Sequence, residues 1–200
     1  MTKVTREFLE ERNACVDGYK YWIENCENLN TIDQLLKLNE EHFDYANWLI
    51  VRILSHKQKV QYAVFSAELA LPIFEQEYPN DDRPRNTIEV VKKCIKDPSK
   101  KNKTSDTNTA SAAAAAGVAY ADASVVHDRA AYAAAYAAYA AYAASYAASD
   151  DASDDDAYTA SADYATDAAS YVDDSVAHDT KKEFQNKIIN YGIKLLKENV

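Results

Sequence analysis

The chain has 200 residues, 48% of them hydrophobic, with three glycines, four prolines and a formal net charge of −10. This composition excludes an intrinsically disordered chain, and the scarcity of glycine and proline favours helix throughout. The negative charge disfavours direct binding to nucleic acid or to an acidic membrane surface.

The first helix is predicted from an apolar stripe near the start of the chain. Phe8, Cys15, Tyr19, Trp22 and Cys26 recur at helical spacing, which predicts one helix from about residue 5 to residue 26. The three cysteines of the chain form no CxxC motif. We therefore expect them to be small buried apolar residues rather than disulfide partners or metal ligands.

Four further helices are predicted before residue 97. The first is a short helix that starts at residue 31, and the other three cover residues 44–54, 60–78 and 84–95. Thr31 and Gln34 have the spacing of a capping box, Pro72 predicts a kink or break, and Pro84 suits the first turn of a helix. Residues 1–96 are thus expected to form an N-terminal helical cluster.

The second half of the chain has low complexity. Residues 97–109 are polar and without periodicity, which indicates a linker loop. The Ala-rich residues that follow predict a long helix to about residue 149, a break at residues 149–156 and a second helix running back. Residues 110–200 should therefore form an antiparallel hairpin and an amphipathic C-terminal helix, packed on the N-terminal part. The predicted fold class is all-α, in one fold unit.

The negative charge is concentrated in this hairpin. Residues 110–179 contain twelve aspartates and one arginine, a net charge of −11, whereas residues 1–109 carry −2 and residues 180–200 carry +3. Such a surface attracts a basic partner. Carboxylate rows on a helical rod can also imitate the phosphates of DNA.

Tyrosines repeat along the first helix of the hairpin at spacings of three and four. They either pack on neighbouring helices or form a recognition surface, because tyrosine is enriched in binding faces. The candidate partner-binding residues are Tyr132, Tyr136, Tyr139, Tyr146, Asp150, Asp151, Asp154, Asp155, Asp163 and Asp167. The aspartates from Asp150 to Asp156 have the alternative role of a solvated helix-capping turn.

Signals for catalysis are weak. The sequence has no Gly-rich phosphate loop, no GxSxG and no HExxH. His127 with Asp128 and His178 with Asp179 are weak candidates for a metal site, because histidine and carboxylate together suit a first-row metal. We therefore expect no cofactor and no enzymatic activity, with a metal-dependent hydrolase as the third alternative.

Three short motifs occur in order along the first half. They are Ala14-Cys15 with Gly18 and Trp22, Asp44-Tyr45 with Trp48-Leu49 and Arg52, and Asp82-Arg83-Pro84-Arg85 with Ile88. Together with the Ala/Tyr/Asp-rich tract and the closing basic helix, they resemble a family of bacterial and phage immunity proteins, the immunity protein five-like type. Tyr45 stands where that pattern is expected to have tryptophan. The resemblance implies an all-helical protein with an immunity role, and it brings no catalytic residues.

The third motif also has a structural explanation. Asp82 can cap the helix that Pro84 begins, and Arg83 or Arg85 can pair with a nearby carboxylate. The same arginines, together with Arg52 and Arg129, are candidates for binding an anionic ligand.

These observations favour a binding protein that neutralises a toxin or another basic protein through its acidic Tyr/Asp surface. The alternative is a phage anti-defence protein that mimics DNA or sequesters a nucleotide signal. The sequence leaves open whether the chain forms a homo-oligomer. The charged start of the chain and the lack of a strongly apolar run predict a cytoplasmic protein of a bacterial or phage-infected cell, not a membrane protein.

Overall fold

The computed structural model describes residues 3–97, 115, 119, 129–147, 155–171 and 177–198. Over these residues the fold is all-α, as predicted, with no strand. The helices with defined bounds in these ranges are α1 (Arg6–Glu11), α2 (Val16–Asn25), α3 (Thr31–Glu41), α4 (Phe43–Ile53), α5 (His56–Glu77), α6 (Arg83–Lys96), α7 (Arg129–Ala147), α8 (Asp156–Ser170) and α9 (Ala177–Lys197).

The predicted single helix over residues 5–26 is wrong, because two short helices occupy this stretch. Asn13 adopts a left-handed conformation, with φ of 54°, which asparagine tolerates better than most residues and which ends a helix. The chain then restarts at Cys15, whose Sγ accepts a hydrogen bond from the Gly18 amide at 3.4 Å. Cys15 is exposed, which contradicts the expectation that it is buried, whereas Cys26 is buried as expected.

The predicted capping box at Thr31 and Gln34 is also wrong. Asn30 caps α3 instead, because its Oδ1 accepts hydrogen bonds from the amides of Ile32 and Asp33, both at 3.1 Å. A capping box does occur at the start of α5. Asparagine and serine are both good N-cap residues, so sequence spacing alone did not single out the residues that cap these helices.

Helix α5 is the longest helix of the described residues and continues through Pro72. The predicted break is therefore absent. Pro72 and Glu68, the residue four positions earlier, are both exposed, so water can satisfy the carbonyl that proline leaves unpaired. Leu71 and Phe74 are buried on either side and hold the helix against the core.

Helices α7 and α8 form the predicted antiparallel hairpin. Ser161 Oγ donates to the Ala140 carbonyl at 2.9 Å. The rings of Tyr136 and Tyr171 stack with centroids 5.5 Å apart. Residues earlier in α7 thus meet residues later in α8, the pattern of antiparallel neighbours. Most of the predicted break at residues 149–156 lies outside the described residues.

The hairpin lies inside the bundle. Five alanines of α7 have no exposed surface: Ala135, Ala138, Ala140, Ala141 and Ala144. Their small side chains let α5 and α8 approach α7 closely, and Ser161 Oγ lies 2.8 Å from the Ala63 carbonyl of α5. One hydrophobic core therefore runs through both halves of the chain.

Helices α4 and α9 complete this core. Ile188 and Ile189 of α9 and Ile50 of α4 are fully buried. Gly192 of α9 lies so close to α4 that an added Cβ would stand 2.3 Å from Ile50 Cδ1. Within the described ranges, no helix has the length and apolar character needed to cross a membrane.

Candidate functional site

A cavity of about 270 Å³ lies between the α1–α2 segment and α4. Its walls come from the first two sequence motifs: Cys15, Gly18 and Trp22 on one side, and Asp44, Tyr45 and Trp48 on the other. We refer to it as the α2–α4 pocket. The fold thus brings two motifs to one place, although the whole of α3 separates them in the sequence.

Gly18 sets the distance between the two walls. A Cβ at this position would lie 3.0 Å from Cys15 Sγ and 3.4 Å from two carbons of the Tyr45 ring. Because glycine has no side chain, Tyr45 can pack against the first turns of α2, and the thiol of Cys15 can cap the helix.

The aromatic rings around the pocket are held by their neighbours. The Tyr19 hydroxyl donates to Glu10 Oε1 at 2.6 Å. The Tyr45 ring stacks on His42, with centroids 4.7 Å apart, and the Arg52 guanidinium lies 4.0 Å from the centre of the Trp48 ring. Held rings lose little conformational entropy when something binds against them.

The pocket has one formal charge in its lining, that of the exposed Asp44. Asp44 lies in the first turn of α4, where the helix dipole favours a carboxylate. The side chains that line the pocket are otherwise apolar, aromatic or uncharged, so the electrostatic potential in the pocket favours a cation.

A polar chain links this region to the hairpin. The Tyr62 hydroxyl donates to Asn47 Oδ1 at 2.9 Å, and Asn47 Nδ2 donates to Asp163 Oδ1 at 2.9 Å. Tyr62 and Asn47 are 0% and 1% exposed. Three helices, α5, α4 and α8, are therefore joined by a buried network that ends on a carboxylate.

Asp163 is surrounded by further charges. Its pKa is raised to about 6, mainly by loss of hydration although part of the side chain faces solvent, and the charges of Asp167 and Asp44 contribute to the rise. The Asn47 hydrogen bond and the charge of Lys181 lower it. We refer to Asp44, Asp163 and Asp167 as the acidic cluster. Its member Asp44 also lines the α2–α4 pocket, so pocket and cluster are continuous.

The predicted tyrosine surface is partly used for packing. Tyr136 and Tyr139 are half-buried, and Tyr139 lies 5.4 Å from the ring of Tyr164 in α8. Tyr146 is 42% exposed, and the side chain of Tyr132 lies outside the described residues. Tyr146 is thus the accessible tyrosine among the predicted ones whose side chains are described.

Several predicted aspartates form ion pairs within the protein. Asp155 pairs with Lys59 of α5, and Asp167 Oδ1 lies 3.4 Å from Lys181 Nζ of α9. Asp150, Asp151 and Asp154 lie outside the described residues. Of the predicted partner-binding aspartates, Asp163 is bonded to α4 through Asn47, and the charges of Asp44 and Asp167 act on it.

The predicted anion-binding arginines do not converge where they are described. Arg52 Nη2 lies 3.6 Å from Asp156, Arg83 pairs with Asp81 and Arg85 with Glu75. The side chain of Arg129 lies outside the described part of the chain.

The predicted cap of α6 needs a correction. Asp82 occupies the N-cap position but makes no side-chain cap bond. Its neighbour Asp81 accepts a hydrogen bond from the Arg83 amide at 3.1 Å instead. The expectation that Arg83 or Arg85 pairs with a carboxylate is confirmed, and both of them do.

Sequence reasoning missed a lysine-lined groove between α5, α6 and α9. Its volume is about 350 Å³, and Lys57, Lys92, Lys96 and Tyr191 line it. Lys92 pairs with Glu68 and Glu89, whereas Lys57 and Lys96 are exposed. No sequence spacing signals this groove, because Lys57 of α5 meets Lys92 and Lys96 of α6 only through the packing of these two helices.

The predicted metal site is only partly covered. His127 and Asp128 lie outside the described residues, as does the side chain of His178, and Asp179 is exposed. Among the residues that the structure does describe, no group of three or more metal-ligating side chains comes together.

Comparisons with protein-family models, with curated proteins and with solved structures found no match for this chain.

Proposed function

We propose that this is a non-catalytic binding protein that neutralises a basic protein partner by occupying it, as an immunity protein does. The observation that carries the proposal is the acidic cluster of Asp44, Asp163 and Asp167 at the edge of the aromatic α2–α4 pocket. A protein interface typically combines aromatic anchors with charges that match those of the partner.

The charge distribution supports a basic partner. Residues 110–179 carry a net charge of −11, and within the described residues Lys59, Arg52 and Lys181 pair with Asp155, Asp156 and Asp167 of this segment. An excess of one sign on one segment steers an oppositely charged protein towards it and speeds association.

The energetics of Asp163 agree with this role. A carboxylate with two acidic neighbours and a raised pKa is unfavourable in the isolated protein. A basic partner would supply the missing counter-charge, so the cost is recovered on binding. Perturbed groups of this kind are common at functional sites.

Titration calorimetry with short oligoarginine and oligoglutamate peptides tests the proposal. We expect the oligoarginine to bind and its affinity to fall at least tenfold between about 25 and 300 mM salt, because the Debye length shortens. Asp163→Asn with Asp167→Asn should weaken the complex. Binding that ignores salt, or equal binding of the oligoglutamate, would contradict a basic partner.

A second candidate function rests on the lysine-lined groove. Lys57 and Lys96 are exposed beside the Tyr191 ring, a combination that suits the phosphates and base of a nucleotide. In that case the protein sequesters an anionic signal. Equilibrium dialysis against adenine nucleotides, with Lys57→Gln/Lys96→Gln as the control variant, decides it: retention by the native chain alone supports sequestration.

A further inference from the structure

The α2–α4 pocket has the features of a site for a single cationic side chain. Its volume of about 270 Å³ is slightly below the roughly 300–1,000 Å³ of pockets for drug-sized ligands. Both tryptophans of the chain, Trp22 and Trp48, line it, as do Tyr19 and Tyr45. Aromatic walls of this kind attract cations through the negative faces of the rings.

Charge decides between a cationic and a neutral occupant. The exposed Asp44 is the charged residue of the lining, and the described lining contains no lysine or arginine. Arg52, one turn after Trp48, is held on the Trp48 ring and donates to the Trp48 carbonyl at 3.1 Å. The pocket therefore offers a carboxylate and aromatic rings to a cation from outside.

A second feature also indicates a ligand. Trp22 is 3% exposed, and its indole nitrogen has no hydrogen-bond partner among the described residues. An unsatisfied buried donor is uncommon in native proteins, and a bound carbonyl is one way in which such a donor becomes paired. This donor belongs to a residue of the pocket wall. Because a guanidinium has no acceptor, a main-chain carbonyl beside the bound side chain would be its partner.

We infer that the α2–α4 pocket binds an arginine side chain of the basic partner, with the guanidinium against Asp44 and the aromatic rings. Arginine fits better than lysine, because its planar head stacks on rings, binds carboxylate through two parallel hydrogen bonds and is weakly hydrated. The inference rests on the proposed function for the source of this side chain. It deepens that function by naming the anchor residue and its receptor site.

Tryptophan fluorescence tests the pocket directly, because both tryptophans are in its wall. The probe is N-acetyl-arginine amide, and the controls are the uncharged N-acetyl-norleucine amide and the acidic N-acetyl-glutamate amide. We expect a saturable change with the arginine probe and none of comparable strength with the controls. A flat response to the arginine probe, or an equal response to N-acetyl-norleucine amide, would overturn the inference.

Asp44→Asn identifies the carboxylate. Because Asp44 is exposed, the variant should fold, and circular dichroism checks this. We expect the dissociation constant of the arginine probe to rise about tenfold, the loss of one charge-assisted contact. Asp179→Asn, an exposed first-turn aspartate of α9 outside the pocket lining, is the matched control and should bind like the native chain. Unchanged affinity in Asp44→Asn would refute the assignment.

The two proposals can fail separately. If oligoarginine binds with strong salt dependence but leaves tryptophan fluorescence unchanged, the basic-partner function stands and the pocket assignment is wrong. If the arginine probe enters the pocket but oligoarginine binds no more tightly than the single residue, the pocket stands and the basic-partner function is wrong.

Discussion

At the scale of single residues, Asp163 is the clearest case in which a side chain proposed for binding makes the folded protein less stable. Its carboxylate accepts one hydrogen bond from the buried Asn47, which favours the charged form. Loss of hydration and the charges of Asp167 and Asp44 oppose it and prevail, so the pKa rises to about 6. The residue is therefore less favourable for folding when ionised than a neutral amide would be.

Asp163→Asn should show this cost as a pH dependence. The folded-state pKa lies above the ordinary value of 3.8, so the folded state binds more protons than the unfolded state between about pH 4 and pH 6. The free energy of unfolding of the native chain therefore falls as pH rises through this window. The variant lacks this loss, so urea denaturation should find it more stable than the native chain above about pH 6 and similar below about pH 4.

The surrounding charges make this test specific. Asp44, Asp167, Lys181 and the Asn47 amide all act on Asp163 and stay in place in the variant. Asp179→Asn, at an exposed position of α9, serves as control and should gain no stability in this window. A lower stability of Asp163→Asn at every pH would mean that the hydrogen bond to Asn47 outweighs the charge repulsion.

Gly192 is the second residue whose identity follows from its surroundings. An added Cβ would lie 2.3 Å from Ile50 Cδ1 and 3.0 Å from Tyr62 Cε2, and both neighbours are fully buried. We expect Gly192→Ala to lower the free energy of unfolding by about 1–3 kcal/mol, because overpacking outweighs the better helix propensity of alanine.

Ile50→Val provides the matching compensation. It removes the Cδ1 atom in the closest contact, so the double variant should lose less stability than the sum of the two single variants. A double-mutant cycle measured by denaturant titration checks this. Additive losses would mean that the contact with Ile50 Cδ1 is not the cause of the lost stability in Gly192→Ala.

At the scale of the helices, the alanine tract explains the architecture. Helix α7 lies between α5 and α8, and its alanines are fully buried where these neighbours contact it. Each buried alanine contributes little hydrophobic stabilisation, but its small side chain lets neighbouring backbones come close. Ser161 Oγ, for example, lies within hydrogen-bond distance of the carbonyls of Ala63 and Ala140. The tract is therefore part of the core and not only a support for a surface.

Ala138→Leu tests this arrangement. Leucine and alanine have similar helix propensities, so any loss of stability comes from packing around a residue with 0% exposure. We expect a loss of about 1–3 kcal/mol or more in the free energy of unfolding. Ala160→Leu, at a half-buried position of α8, is the matched control and should cost clearly less. Equal effects would indicate that α7 is not packed as described.

The helices also show what the sequence predicts and what it does not. Periodicity and low glycine content predicted the all-α class and the antiparallel hairpin. The break between α1 and α2 was missed, because the stripe from Phe8 to Cys26 continues in register through the left-handed Asn13. The break expected at Pro72 was overridden by burial of Leu71 and Phe74 on either side.

The same limit applies to the candidate site. The motifs around Cys15 and Asp44 were visible in the sequence, but their meeting in one pocket depends on how α2 packs on α4. The approach of Asp163 to Asn47 likewise depends on a contact between residues 116 positions apart. Such contacts are tertiary, so no local pattern encodes them.

For the whole molecule, the described helices of the acidic segment, α7 and α8, pack in a bundle with basic residues as neighbours. Lys59 and Lys181 pair with Asp155 and Asp167, and these pairs join the hairpin to α5 and α9. The acidic cluster stays at the edge of an aromatic pocket, opposite in character to the lysine-lined groove between α5, α6 and α9. The fold thus presents two chemically different concave surfaces.

The most direct test of the account is to map bound oligoarginine by amide chemical shifts in two-dimensional NMR of the full chain. We expect the largest shifts at residues 14–22, 44–48 and 163–167, and we expect them to diminish as salt is raised. Shifts confined to the lysine-lined groove, or a spectrum that the peptide leaves unchanged, would contradict the claim that this acidic aromatic site receives a basic partner.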